Sequence, residues 1–210
     1  MEVSTAEELV AAIDDNTHII LNEGVYDLSQ IANPKDTEKV HFNPYGYSYE
    51  IPDVQIADVM QLKLEAKEGA EVEICTEGPL SPVMIFTDCR YVFIQGITFG
   101  HHVEIYECTY GIMQLINTYG VEFADCSMHD NSDMSMINLY NCGNIDFHDC
   151  EFRNNTINHE FGNNYFVEAG DGNYTITFER CLFKDNTGGV FSNYDRVYTE
   201  DCIWEDEPVG

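Results

Sequence analysis

The sequence predicts an all-β fold, a single-stranded parallel β-helix in which one short pattern recurs along the chain. Three stretches carry the pattern most clearly: VEFADCSMHDNS from Val121, IDFHDCEFRNNT from Ile145 and ITFERCLFKDNT from Ile176. Weaker copies begin at Val92 and Val197, so successive copies start 29, 24, 31 and 21 residues apart. Repeats of this period are typical of solenoids, whose turns bury their apolar faces only against neighbouring turns.

Each copy has apolar residues at alternate positions, the pattern of a strand with one buried face. A second alternating run lies upstream, separated from the copy by turn residues such as Asp88 and Asn117. We therefore expect two strands, a tight turn and a variable loop in each turn of the solenoid, with equivalent residues stacked about 4.8 Å apart. The expected inward columns are Ile94, Phe123, Phe147, Phe178, Thr199; Ile97, Cys126, Cys150, Cys181, Cys202; Phe99, Met128, Phe152, Phe183, Trp204; Met84, Met113, Ile137, Val167; and Phe86, Leu115, Leu139, Ala169, Phe191.

The chain is expected to open with a short helix over residues 4–14. Its start carries a capping-box pattern, Ser4 or Thr5 followed three residues later by Glu7 or Glu8. Its apolar stripe would cover the first turn of the solenoid, since solenoids need covered ends. The length predicts one domain over 1–210, with the capping helix in 1–16, irregular early turns in 17–82 and regular turns in 83–205.

Three stretches also carry a family resemblance: TAEEL from Thr5, GVYDL from Gly24 and ITFGH from Ile97. With the repeated turns, they resemble the right-handed parallel β-helix proteins of the pectate-lyase-like superfamily, and are similar to bacterial β-helix-repeat proteins of unassigned role. The resemblance implies the right-handed β-helix, a fold that carries many functions. Pectate-lyase chemistry would require calcium-binding aspartates and a basic residue. The polygalacturonase signatures N-T-D, D-D, G-H-G and R-I-K are absent, which weakens an enzyme assignment.

Net charge is the strongest compositional fact, with 38 acidic against nine basic side chains and a formal charge of −29. Such a surface repels phosphate backbones and anionic membranes, so we expect no nucleic-acid partner. No apolar run approaches the ~20 residues of a membrane span, and no signal-peptide pattern opens the chain. The acidity indicates either a solvated surface that keeps strand edges apart or the binding of divalent cations.

A column of charged residues stands one position before the cysteines: Asp125, Asp149, Arg180 and Asp201. Arg180 can neutralise its two neighbours, which favours a structural role for that part of the column. Asp125 and Asp149 lack such a cation between them. They are therefore the candidate calcium ligands, and calcium is the one cofactor the sequence suggests.

The chain has eight cysteines, and four of them share the inward column at Cys126. Parallel side chains in stacked turns suit the torsion of a disulfide badly, so we expect a ladder of free thiols rather than disulfides or a metal site. Asn131, Asn155 and Asn186 recur in the same way and predict a ladder of side-chain amides bonded to backbone.

Two groups of residues are candidates for catalysis. His101, His102 and Glu104 cluster with His129 and Asp130 of the next turn, where histidines could shuttle protons or bind a metal; the alternative is a solvated turn. On the outward face, carboxylates of successive turns could act as acid and base or contact a substrate, although an acidic solenoid forms such pairs by chance. The outward candidates for substrate binding are Glu122, Asp146 and His148.

Tyr45, Tyr47 and Tyr49 alternate along one short stretch. On a strand they would present three rings on one face, which suits a sugar platform; packing over the first turns is the alternative.

Three roles are consistent with these features. The first is a carbohydrate-binding protein acting outside the cell or at its surface, with a glycan or polysaccharide as partner. The second is an enzyme, a polysaccharide lyase or glycosidase that uses groove carboxylates. The third is a structural protein that associates end to end, because no capping helix is evident after Trp204.

Overall fold

A computed structural model of the chain describes residues 1–43, 53–78, 81–102, 111–133, 135–157, 165–169, 172, 175–188, 191 and 196–205. Their regular elements are β1 (Glu2–Val3), α1 (Ala6–Ala12), β2 (His18–Leu21), β3 (Gly24–Asp27), a 3₁₀ turn (Leu28–Gln30), β4 (Val40–Asn43), β5 (Asp53–Ala57), β6 (Met60–Ala66), β7 (Val72–Thr76), β8 (Met84–Thr87), β9 (Arg90–Gln95), β10 (Thr98–His101), β11 (Met113–Ile116), β12 (Tyr119–Ala124), β13 (Ser127–His129), β14 (Ser132–Asp133), β15 (Ile137–Tyr140), β16 (Gly143–His148), β17 (Glu151–Arg153), β18 (Thr156–Ile157), β19 (Val167–Ala169), β20 (Ile176–Glu179), β21 (Leu182–Lys184), β22 (Val197–Glu200) and β23 (Ile203–Trp204).

Three sheets contain most of these strands. Sheet A has the order β1-β2-β6-β9-β12-β16-β20-β22, sheet B has β23-β21-β17-β13-β10-β7-β3, and sheet C has β19-β15-β11-β8-β5-β4. The chain visits A, B and C in turn and then returns to A beside its previous strand. Neighbouring strands are parallel, apart from the antiparallel pair β4 and β5. The protein is thus an all-β chain with a parallel β-helix-like arrangement, whose core lies between the three sheets.

The inward columns are confirmed by the strand register. Phe123 pairs with Phe147, and Phe147 with Phe178. The three rings are buried and stack at centroid distances of 4.8 and 4.7 Å, which matches the spacing between neighbouring strands. One assignment was wrong, because Phe191 pairs with Val167 rather than with Ala169.

A complete turn has a strand in each of three sheets rather than the two strands expected, and two turns add a short strand, β14 or β18, in a separate two-stranded sheet. The predicted second strand bends at a corner, so that β12 lies in sheet A and β13 in sheet B. Asp125 forms this corner with a φ of 53°, and Asp149 repeats it with 54° in the next turn. A left-handed residue reverses the direction of the chain locally, and Asp adopts this conformation more readily than most residues.

The cysteine column fills the inner side of this corner. Cys150 is buried, and its Sγ donates to the carbonyl oxygens of His148 at 3.3 Å and Phe123 at 3.4 Å. The pKa of the Cys150 thiol is raised, chiefly by its hydrogen bond with the Cys126 thiol. The Cys150 thiol therefore stays protonated and can donate. Cys126, Cys150, Cys181 and Cys202 are all free, which confirms the predicted ladder of thiols at these four positions.

The asparagine ladder lies at the next corner, between the strands of sheet B and the short parallel pair β14 and β18, and is also confirmed. Asn155 is fully buried; its Oδ1 accepts from the Asn131 amide at 3.1 Å, and its Nδ2 donates to Met128 O at 3.1 Å. Asn186 repeats the pattern by accepting from the backbone amide of Asn155 at 3.1 Å. These side chains satisfy backbone groups that leave the sheet ladder at the corner.

The helix α1 is shorter at both ends than the expected 4–14. Thr5 is its N-cap, whose hydroxyl accepts from Glu8 N at 3.1 Å, while the Glu8 carboxylate accepts from Ser4 N at 2.7 Å. Leu9 and Ile13 are buried among the first strands. No helix in the described part of the chain has the length and apolar character needed to cross a bilayer.

The last described turn departs from the inward prediction. Thr199 is exposed, and Trp204 is 43% exposed even though its ring stacks on Phe183 at 3.9 Å. Within the described residues, no later turn covers these two side chains.

Candidate functional site

A groove of about 690 Å³ runs along sheet B beside the corner that joins it to sheet A. Polar side chains from four successive turns and the preceding loops reach into it. They are Glu23, Glu71, Glu73, Thr98, His102, His129 and Arg153. The groove brings together two of the predicted site residues, His102 and His129.

Strand register explains why these residues meet. On sheet B, Glu73 pairs with Thr98 and Gly100 pairs with His129, so both columns face outward on either side of the buried Phe99 column. Gly100 gives the imidazole its space: a Cβ there would lie 2.7 Å from His129 Cε1. The ring of His129 therefore lies directly over the backbone of the previous turn.

Glu73 is the centre of the polar cluster. Its Oε1 lies 2.7 Å from His102 Nε2 and 3.6 Å from His129 Nε2. The other nitrogen of His129, Nδ1, lies 2.5 Å from Asp130 Oδ2. His129 is only 9% exposed and Glu73 22%, so these charges are partly shielded from solvent. A carboxylate thus stands on each side of one imidazole, Asp130 beside Nδ1 and Glu73 beside Nε2.

His101 is placed elsewhere, although it is adjacent to His102 in sequence. Successive residues of a strand point to opposite faces, and His101 faces inward with only 3% of its surface exposed. Its Nε2 lies 3.0 Å from Ser81 O, and burial lowers its pKa to about 4. His101 is therefore a buried neutral histidine that does not line the groove.

The outward candidates on sheet A are also separate from the groove lining. Glu122 pairs in register with Asp146, and both point away from the core. His148 Nδ1 lies 3.0 Å from Glu179 Oε2 of the next turn. These contacts form a charged outer face, and they do not converge on a cavity.

The candidate calcium ligands Asp125 and Asp149 have other partners. Both oxygens of Asp149 accept from Arg180, Oδ1 from Nε at 2.8 Å and Oδ2 from Nη2 at 2.7 Å, and this guanidinium lowers the pKa of Asp149. Asp125 Oδ2 accepts from Gln95 Nε2 at 3.3 Å. A bidentate arginine leaves Asp149 poorly suited to bind calcium. Across the described ranges, no cluster of three or more His, Cys, Asp or Glu could hold a metal ion.

Four predicted site residues, Tyr45, Tyr47, Tyr49 and Glu104, lie outside the described residues. Five polar residues of the groove lining were missed from the sequence, namely Glu23, Glu71, Glu73, Thr98 and Arg153. The sequence does carry a signal for Glu73, because it stands between the apolar residues Val72 and Ile74 of an alternating run. It could be used only once β7 was known to be the register partner of β10.

Comparisons with known proteins support the fold. No protein-family model and no curated protein matches the chain. A solved structure from Parabacteroides merdae, named a "putative glycosyl hydrolase", is similar with a TM-score of 0.51 and 9% sequence identity. The alignment covers 98% of this chain and 96% of that one. At this identity the likeness concerns the fold.

Proposed function

We propose that the chain is a carbohydrate-binding protein of the right-handed, pectate-lyase-like β-helix type, and that it binds glycans at the outside of the cell. The observation that carries this proposal is the convergence of Glu73, His102 and His129 in one groove along sheet B. A groove with a few convergent polar groups is the usual form of a small-ligand site. The structurally similar protein from Parabacteroides merdae, with its hydrolase name, supports a carbohydrate-related role.

The negative charge of the groove limits the class of glycan that it can bind. Glu23, Glu71 and Glu73 line the groove, and the whole chain carries a formal charge of −29. A polyuronate would meet repulsion from both, whereas a neutral glycan would not. The carboxylates can accept hydrogen bonds from sugar hydroxyls, while His102 and Arg153 can donate them. Neutral polysaccharides are therefore the expected ligands.

A glycan array tests this proposal, with the wild-type protein and Glu73→Gln compared in calcium and in EDTA. We expect wild-type binding to neutral glycans that is weakened in Glu73→Gln, because the cluster loses its charged acceptor. Glu200→Gln, an exposed carboxylate on β22 of sheet A, is the matched control and should bind normally. Binding unchanged in Glu73→Gln would contradict the placement of the site. A loss of binding in EDTA would support the calcium prediction.

A second candidate function is glycoside hydrolysis or polysaccharide lysis at the same groove. This function is favoured by the position of the His129 imidazole, which lies between the carboxylates of Asp130 and Glu73. Such a group can accept and return a proton during catalysis. Assays for new reducing ends and for unsaturated products on neutral polysaccharides test it. Activity that survives His129→Gln would rule out this role for the imidazole.

Association through the turn that carries Trp204 is a separate proposal, supported by the 43% exposure of its indole. Sedimentation velocity over a range of concentrations tests it. A single monomeric species at every concentration would contradict it.

A further inference from the structure

A tyrosine with an unusual backbone stands at the corner where sheet C passes to sheet A. Tyr91 has a φ of +59°, and its side chain is 64% exposed. The register places it opposite Gln61, Gly120 and Asn144 of other turns, all with positive φ. Bulky residues are rare in this conformation, which Gly and Asn adopt more easily. The fold alone thus gives no reason for a tyrosine here.

The ring of Tyr91 is held in a defined position. A Cβ added to Gly120 would lie 3.3 Å from Tyr91 Cδ1 and 3.6 Å from Cε1. The ring therefore lies along the glycine backbone of the next turn, and most of its remaining surface faces solvent. Glycine at position 120 makes this arrangement possible, because any side chain there would push the ring away.

Polar side chains stand at the same corner, and two of them belong to residues next to Tyr91 or next to its register partner Gly120. The Tyr119 hydroxyl donates to Asn141 Oδ1 at 3.1 Å, and Asn141 Nδ2 donates to Asn117 Oδ1 at 2.9 Å. The guanidinium of Arg90 lies 5.2 Å from the centroid of the Tyr119 ring. We call these five residues the tyrosine surface: Arg90, Tyr91, Asn117, Tyr119 and Asn141. An exposed aromatic ring bordered by amides, a hydroxyl and a guanidinium offers both an apolar face and fixed hydrogen-bonding groups.

We propose that the tyrosine surface is a second carbohydrate-binding site, in which a neutral pyranose ring stacks on Tyr91. The C–H face of a pyranose carries partial positive charge, which complements the negative π face of the phenol. The side chains of Asn117 and Asn141, at the same corner, are the proposed partners of its hydroxyls. The acidity of the chain again disfavours uronates. This site adjoins sheets C and A, whereas the groove adjoins sheets A and B, so it does not depend on the groove.

Calorimetric titration with hexasaccharides of β-1,4-linked glucose and β-1,4-linked N-acetylglucosamine tests the proposal. Tyr91→Asn is the informative variant, because Asn144 already occupies the equivalent position of a later turn. We expect one or both probes to bind the wild-type protein and to bind Tyr91→Asn about tenfold or more weakly, since one ring contact is worth roughly a tenfold step in affinity. The thermal midpoint of Tyr91→Asn should be unchanged or higher, because asparagine relieves the backbone strain.

Three controls make the outcome decisive. Tyr91→Trp keeps an aromatic face and should retain binding. Tyr198→Asn removes another exposed tyrosine, 56% exposed on β22, and should bind as the wild type does. Glu73→Gln changes the groove alone, so the fold-loss in affinity caused by Tyr91→Asn should be the same with and without Glu73→Gln. The proposal is overturned if neither probe binds the wild type, if Tyr91→Asn binds equally well, or if only Glu73→Gln loses binding; that last result would support the groove alone.

Discussion

Replacing Phe147 with alanine should remove a large part of the stability of the fold. The ring is fully buried, stacked between Phe123 at 4.8 Å and Phe178 at 4.7 Å, and it meets Phe152 edge-on at 5.7 Å. Burial and cavity costs for a core Phe→Ala change are about 3–5 kcal/mol, and aromatic pairs contribute roughly 0.5–1.5 kcal/mol each. The neighbouring backbones are fixed by parallel ladders on both sides. The column therefore cannot collapse into the cavity, and we expect a loss near ~5 kcal/mol.

Urea denaturation followed by circular dichroism measures this loss. The matched control is Asp146→Ala, one residue away on the same strand with its side chain facing outward, for which we expect a change within about 0.5 kcal/mol. The loss of about 5 kcal/mol expected for Phe147→Ala is a large share of the ~5–15 kcal/mol that stabilises a typical domain. Similar losses in the two variants, or a loss below about 1 kcal/mol in Phe147→Ala, would refute the stacked interior.

Three further predictions concern single polar groups. Asn155→Ala should cost about 2–4 kcal/mol in urea denaturation, because it removes the buried hydrogen bonds that Asn155 makes with the Asn131 amide and with Met128 O; a loss below 1 kcal/mol would contradict the ladder. His101 has a folded pKa of about 4 against 6.5 when exposed, so the unfolded chain binds the extra proton between those values. The contribution of the buried neutral His101 to the free energy of unfolding is complete above pH ~6.5 and falls by up to about 3 kcal/mol as the pH drops to ~4. His101→Gln should lose that part of the pH dependence of stability. An identical decline in both proteins would contradict the prediction. Arg180→Asn should raise the pKa of Asp149 towards its ordinary value in an NMR titration while leaving the unfolding free energy nearly unchanged, since the pair is exposed and asparagine accepts the left-handed backbone; an unmoved carboxyl titration would contradict the ion pair as the cause.

The repeated columns could be predicted from the sequence because each apolar position recurs with its neighbours. The alignment of Phe123, Phe147 and Phe178 needed only the spacing of the copies. The third sheet was missed, since the alternation continues past the corner at Asp125 with one extra residue, and a strand was assumed to run through. Phe191 was misplaced because the inserted loops before it vary in length, and loop length carries little register information.

The candidate site was predicted in part. His102, His129 and Asp130 were identified because they lie at the same end of consecutive turns. Glu73 belongs to an early turn whose repeat is degraded, so its position beside His102 follows from strand pairing rather than from pattern. His101 was grouped with its neighbour because the sequence shows proximity along the chain, whereas the side chain's direction depends on where the strand continues.

The residues at the corners of the solenoid also contribute to its net negative charge. Among the described residues, seven aspartates occupy left-handed corners: Asp58, Asp88, Asp125, Asp130, Asp149, Asp185 and Asp201. Asparagines hold the same conformation at Asn117, Asn141 and Asn154, so either residue can turn the chain. Exchanging all seven aspartates for asparagine would remove seven of the 29 net negative charges without disturbing an inward side chain. Chains built on this architecture can therefore present quite different electrostatic potentials to their surroundings while retaining the same interior.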